Sequence, residues 1–258
     1  MDYTTVILSV EDKVGTITLN RPEVNNTFDI QMATELNGAL KDFDQDSDVN
    51  VVVINANGKN FCTGIDVNYV DGKSMEEYLP WVKLMEEMNI TIANMAKPVI
   101  ASVHRIAVAN GIGIVAACDL AIASETAKFG ATAINVGLFC MGPAVPLLKS
   151  LGRKKTLELV LTGDIINADE ALKIGLINKI VPDADLIEET KKYAKKLAGK
   201  NPIALQLGKK SFYQIEDMKF SDAIEMTNYH FATLCTMDSP QASVKEFLNK
   251  NNGVKKKD

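Results

Sequence analysis

The segment from Lys97 to Gly142 sets the tightest limits on what this chain can become. Pro98 to Val103 is an apolar run of strand length, and mostly small or apolar residues lead from it into Gly111. Gly111 to Cys118 is apolar and of helical length, and a second strand-like run starts at Asp119. A strand that turns into a buried helix offers backbone N–H groups to a ligand, because the first N–H groups of a helix have no internal partner. The same segment is poor in acids. Asp119 is its one carboxylate up to that position, and Ala127 to Met141 holds none. His104 and Arg105 are the only ionisable side chains between Lys97 and Cys118.

The flanking sequence supplies the rest of an α/β chain. Thr5 to Val10 and Val14 to Leu19 alternate as a strand pair with Asp12 and Lys13 at the turn. Asp29 stands where it caps a helix carrying Met32, Leu36, Leu40 and Phe43 at helical spacing. Val51 to Ile54 is a β-branched run suited to a strand covered on both faces. A further helical pattern spans Ser74 to Met95. From Pro143 the pattern is mostly helical, interrupted by a strand-like piece at Ile177 to Val181, with helices expected over 183–199, 202–215, 219–235 and 239–250. Strands alternating with helices through crossovers make an α/β fold.

Composition narrows the function classes. The 258 residues, 47% of them hydrophobic, suffice for one large domain with or without a small appendage. A net charge of −5 argues against a nucleic-acid partner, which calls for a basic face. No apolar run approaches the ~18 residues of a membrane span. Cys62, Cys118, Cys140 and Cys235 show no CxxC spacing, and the two histidines are far apart, so no metal site is expected. The polar N-terminus and unpaired thiols imply a cytoplasmic location. Gly111, Gly113 and Ala116 imitate a dinucleotide fingerprint, but the acid that motif requires about 20 residues on is missing, which disfavours a nicotinamide dehydrogenase.

Four collinear signatures resemble the crotonase superfamily, the enoyl-CoA hydratase/isomerase group, over about residues 3–250. They are Leu19-Asn20-Arg21-Pro22 running to Asn25-Asn26; Phe61 to Val67 with Gly64 and Asp66; Lys97-Pro98-Val99-Ile100-Ala101 through Cys118-Asp119; and Leu161-Thr162-Gly163-Asp164 with Ala168, Ala171 and Gly175-Leu176-Ile177. The resemblance implies a spiral of ββα units over residues 1–200 and a C-terminal helical region, 201–258, packing on that core or on a neighbouring subunit. It implies a homotrimer or a dimer of trimers. It implies an acyl-CoA substrate, with coenzyme A arriving as part of the thioester and no permanently bound cofactor. Two backbone N–H groups, those of Ile65 and Asn110, would form an oxyanion hole for the thioester oxygen. Asn110 stands where the family usually has Gly. The CoA moiety would be gripped by Val24, Asn25 and Asn26 and by Cys62, Thr63, Gly64, Asp66 and Val67, with Asp66 orienting its loop.

The departures matter as much as the matches. The family's acid positions fall on Gly113, Ala133 and Met141, none of which is a carboxylate. General acid–base help is worth roughly 10²–10⁴-fold, so standard enoyl-CoA hydration is not expected. His104 and Cys140 are the candidate replacements, the first as a base and the second as a nucleophile, each also readable as a packed side chain. Tyr69, Asp71, Glu76 and Glu77 lie on a segment that lines the family's acyl pocket, and Met85, Met88, Met95 and Met141 are candidates for an acyl tunnel. The expected function is thus an acyl-CoA thioester enzyme, placed by the resemblance in fatty acid metabolism, acting as lyase, isomerase, decarboxylase or hydrolase. The alternatives are a non-catalytic acyl-CoA-binding or scaffold protein of this fold, and a hydratase or isomerase with relocated acid/base groups.

Overall fold

The computed structural model describes residues 3–254, with side chains to residue 250. Strands β1 (Val6–Glu11) and β2 (Val14–Leu19) form an antiparallel hairpin whose turn residues, Asp12 and Lys13, both have positive φ (52° and 63°). That is the turn whose twist matches paired strands. β3 (Val51–Ala56), β4 (Val99–Val103), β6 (Leu120–Ser124) and β9 (Lys179–Val181) extend the sheet in parallel, in the order β1-β2-β3-β4-β6-β9. A second sheet pairs β5 (Ile106–Val108), β7 (Lys128–Gly130) and β8 (Ile165–Asn167). These three-residue strands are absent from the pattern expected of the sequence, because three residues are too few to establish a period of two.

The period of two within the long sheet sorts its residues onto two faces. Val51, Val53, Ile100 and Ile122 pack with Leu186, Ala194 and Ala198 of helix α6 (Leu186–Ala198). Val52, Ile54, Val99 and Ala101 face the main core instead. That core also receives α1 (Ile30–Gln45), α2 (Met75–Asn94), α3 (Asn110–Ala117) and α4 (Met141–Thr162), the last broken at Gly152 (φ 74°, ψ 168°). All eight residues of α3 are buried, which explains a helix with no polar face. The short α5 (Ala168–Lys173) precedes β9. Among the described residues no helix is long and apolar enough to cross a membrane.

Helix ends follow their caps. The Asp29 carboxylate accepts from Met32 N at 2.8 Å, and Ser74 and Glu77 form a reciprocal capping box at the start of α2. At the other end of α1, the buried Lys97 ammonium donates to the carbonyls of Phe43 and Asp46, tying that helix to the start of β4. The C-terminal helices α7 (Pro202–Ile215), α8 (Phe220–Thr236) and α9 (Asp238–Val254) close the chain. α7 seats on the core, where Lys209 donates to Asp119 at 2.7 Å and Tyr213 to the same carboxylate at 2.9 Å. Phe220 and Phe231 on α8 and Phe247 on α9 are exposed.

One buried acid gives the fold a pH dependence. Glu35 on α1 is only 4% exposed. It accepts from Thr4 N (2.9 Å), Thr5 N (2.7 Å) and the Thr5 hydroxyl (2.7 Å). Burial alone would raise its pKa, but the hydrogen bonds from Thr5, Gln31 and Thr4 outweigh it and hold the group down at about 2. A folded pKa below the unfolded one contributes stability that is complete above about 4.5 and is lost as pH falls towards 2. Urea midpoints at pH 7, 4 and 2.5 should therefore fall less steeply for Glu35→Gln than for the wild type. Parallel acid limbs for the two proteins would refute this assignment.

Candidate active site

The loop from Phe61 to Asp66 is sewn to two neighbours. Cys62 N donates to Ile106 O (3.1 Å) and Val108 N to Cys62 O (3.0 Å), so the loop runs beside β5. Phe28 N donates to Gly64 O and Asp66 N to Phe28 O, both at 2.8 Å. Gly64 has φ +100°, and a Cβ there would meet the Ala109 Cβ at 2.6 Å and stand 3.7 Å from Asn110 N. Only glycine lets the two segments close up in this way. Across the gap Ala109 has φ 51° and ψ −117°, a conformation costing a non-glycine residue of order 1–3 kcal/mol. The strained residue turns the chain so that α3 opens at Asn110. Among the described residues, neither Ile65 N–H nor Asn110 N–H has a carbonyl or side-chain acceptor.

Both residues line a cavity of about 580 Å³, within the range of small-molecule sites. Its walls are mostly apolar: Val67 and Val70 from the loop, Trp81 and Met85 from α2, and Val136 and Phe139 from the segment before α4. Trp81 is held by stacking on Tyr69, centroids 4.7 Å apart. A larger cavity of about 860 Å³ lies against α7, lined by Ile90, Val145 and Phe212 among others, and contains none of the site residues expected from sequence.

Several of those residues converge on the smaller cavity and others do not. Ala133 and Cys140 line it, and Met141, 72% exposed, stands on its rim. Gly113 does not line it: a Cβ on Gly113 would face the Pro143 ring at 3.2 Å, and Pro143 is itself a lining residue. The first of the expected acid positions thus lies against Pro143 and outside the cavity lining. Cys140 is buried, which pushes its thiol pKa up, and the Cβ-lined pocket offers it no cation. His104 lies elsewhere, with Nε2 3.1 Å from Gly58 O. Of the methionines, Met85 and Met141 reach the cavity, whereas Met88 and Met95 are core. Glu77 is spent on the α2 cap, and neither Glu76 nor Asp71 lines the cavity.

The loop expected to meet coenzyme A is well braced. Asn26 is fully buried, its amide donating to Asn57 O and Asn60 O at 2.9 Å each. Asn25 Oδ1 accepts from Asn60 Nδ2 at 2.9 Å, and Thr63 Oγ1 donates to Asn25 O at 3.2 Å. Val24 is exposed beside them. Cys62 is buried, its thiol pushed up to about 12 by burial, so its part in the loop is played by its backbone. Asp66 caps the turn at Val67–Tyr69 by accepting from Asn68 N at 3.0 Å.

One lining residue was not anticipated. Glu86, on α2, is the sole carboxylate among the residues around the cavity. Its Oε1 accepts from Asn110 Nδ2 at 3.1 Å and its Oε2 from Asn89 Nδ2 at 2.7 Å. Burial raises its pKa, and the two amides moderate the rise. The sequence offers one faint signal. Val82, Glu86, Asn89 and Ala93 fall on a single helical seam beside the apolar stripe of Tyr78, Trp81, Met85, Met88 and Ile92.

The parallel-rich sheet, the helices packed on it and the C-terminal helical region make a crotonase-type fold, in which Ile65 and Asn110 line one apolar cavity. The chain belongs to the enoyl-CoA hydratase/isomerase family, whose model matches residues 9–256. It is similar to the rat (Rattus norvegicus) protein named enoyl-CoA hydratase domain-containing protein 3, mitochondrial, with 33% identity over 245 residues, covering 95% of this chain and 82% of the relative. Two solved structures superpose closely. The enoyl-CoA hydratase of Mycobacterium smegmatis gives a TM-score of 0.92 at 34% identity, covering 96% of this chain and 97% of the other. Human enoyl-CoA hydratase domain-containing protein 3 gives 0.92 at 32%, covering 96% and 98%.

Proposed function

We propose that this protein binds an acyl-CoA thioester and polarises its carbonyl between the N–H groups of Ile65 and Asn110, for a reaction other than standard enoyl-CoA hydration. The observation that carries this reading is the pair of unpartnered peptide donors at an apolar cavity beside the braced loop of Asn25, Asn26 and Thr63. Charge develops on the thioester oxygen as an enolate forms, and a positioned donor there is worth about 10²–10³ in rate. Water addition needs a group to activate the water and a group to protonate carbon. Gly113, Ala133 and Met141 supply neither. Isomerase, lyase, decarboxylase or hydrolase chemistry on a fatty-acyl thioester remains within reach, with coenzyme A entering as part of the substrate. The exposed aromatic residues of α8 and α9 support assembly into trimers or a dimer of trimers, and the unpaired thiols support a cytoplasmic setting.

The test is ligand binding and turnover on one sample. Coenzyme A at a hundred times its Kd stabilises by about 2.7 kcal/mol, which raises Tm by roughly 5–10 °C for a chain of this size. Crotonyl-CoA should be hydrated at least about 100-fold more slowly than by a paired-acid hydratase, and light scattering should give three or six subunits. An unchanged Tm at millimolar CoA removes the thioester reading. Rapid hydration of crotonyl-CoA removes the restriction on reaction type.

A further inference from the structure

Glu86 occupies a place made for a carboxylate. A Cβ built on Gly142 would stand 1.9 Å from Glu86 Cδ and 2.1 Å from Oε1. The carboxyl group thus fills the notch left by the missing side chain of residue 142, next to Met141, one of the family's vacant acid positions. The two oxygens are held apart by different amides, Asn110 on one and Asn89 on the other. No cation enters its environment. A half-buried carboxylate with no ion-pair partner costs stability.

The position relative to Asn110 is informative. This residue lines the cavity, its backbone N–H has no acceptor among the described residues, and its side-chain amide donates to Glu86. One residue therefore links the expected position of the thioester oxygen to a carboxylate oxygen. The asparagine that replaces the family's glycine fits this arrangement, since glycine has no amide with which to orient Glu86.

Building on the thioester reading above, we propose that Glu86 is the proton-transferring catalytic residue of this site, acting on the α-carbon of the bound acyl-CoA. Its ionised carboxylate takes an α-hydrogen as a proton. The C–H electron pair moves into the thioester, giving an enolate whose oxygen is held by Ile65 N–H and Asn110 N–H. The new O–H on Glu86 then returns its proton to the α-carbon. In a β,γ-unsaturated chain it returns it to the γ-carbon instead, and the double bond shifts to the α,β position. Electrons and protons balance without a cofactor. A lone carboxylate serves this shift on one face of the substrate, whereas hydration needs two positioned groups. The apolar walls favour the step, because a desolvated carboxylate is a stronger base.

The probe is but-3-enoyl-CoA in D₂O, with solvent deuterium in the acyl group read by mass spectrometry and crotonyl-CoA read by absorbance. Calorimetry with coenzyme A runs in parallel. The wild type should exchange and isomerise. Glu86→Gln should bind coenzyme A within about threefold of wild type yet lose exchange and isomerisation by roughly 10²–10⁴-fold. Gly142→Ala keeps the glutamate but displaces its carboxyl group, and should lose both by a factor of ten or more with coenzyme A binding retained. Glu86→Gln exchanging within tenfold of wild type overturns the proposal. So does a wild type that binds the probe without exchanging it. A wild type that fails to bind coenzyme A overturns the thioester reading itself, which separates that failure from the failure of Glu86.

Discussion

Gly111→Ala should cost this protein both stability and activity. A Cβ on Gly111 would stand 2.3 Å from the carbonyl oxygen of Cys62 and 3.1 Å from its carbonyl carbon. Those are backbone atoms, pinned to β5 by hydrogen bonds on both sides, so they cannot swing aside as a side-chain tip would. The start of α3 must retreat, carrying Asn110 N–H away from Ile65. Overpacking of this kind costs about 1–3 kcal/mol and sometimes more, and loss of one aligned donor costs about 10²–10³ in rate. Urea unfolding together with α-hydrogen exchange measures both. Gly208→Ala, in α7 with no atom near its new methyl group, is the control and should be neutral or gain up to about 1 kcal/mol. If Gly111→Ala unfolds and exchanges like the control, the close approach of α3 to the Cys62 loop is not what sets the donors.

Asp119→Ala should cost more stability, by a different route. This carboxylate accepts from Val99 N (2.7 Å), Lys209 Nζ (2.7 Å) and Tyr213 OH (2.9 Å). The Lys209 side chain is 6% exposed. Removing the acceptor leaves the buried Lys209 ammonium with no counter-charge, only the Lys97 carbonyl, and the Tyr213 hydroxyl without its acceptor, a change that costs about 3–5 kcal/mol. Burial and the Asp119 charge both push the Tyr213 pKa up, so the phenol stays a donor. The loss should appear in the urea midpoint and as new protease cleavage near Lys200. Lys209→Met in the same chain should recover part of it, because the stranded charge is then gone. A single variant within 1 kcal/mol of wild type would mean that α7 is docked by its apolar contacts alone.

The long elements were legible because each writes its period over many residues. The β1–β2 hairpin, the cap at Asp29, the helical spacing from Ser74 and the two-faced strand at Val51 all announce themselves locally. The second sheet did not, since β5, β7 and β8 are held by partners distant in sequence rather than by a pattern of their own. The same limit applies to the site. Ile65 and Asn110 were proposed from the resemblance because the chain keeps the family's spacing around them, and both line the cavity. Glu86 lies 24 residues from Asn110 on another helix, and the notch at Gly142 that receives it exists only after α2 and α4 pack. Gly113 illustrates the converse. As sequence it is simply a position without an acid, yet in space a Cβ there would already touch Pro143, a residue that itself lines the cavity.

The two donors proposed for the thioester oxygen are peptide groups, and this bears on how such a protein changes over generations. A substitution can remove a carboxylate in one step, but no substitution other than to proline deletes an N–H. A lineage can therefore discard one set of acids, pass through forms that only hold a thioester, and recruit a new acid from another helix while the donors persist. If Glu86 proves to be the base, Gly113, Ala133 and Met141 would be positions given up and Glu86 the group gained.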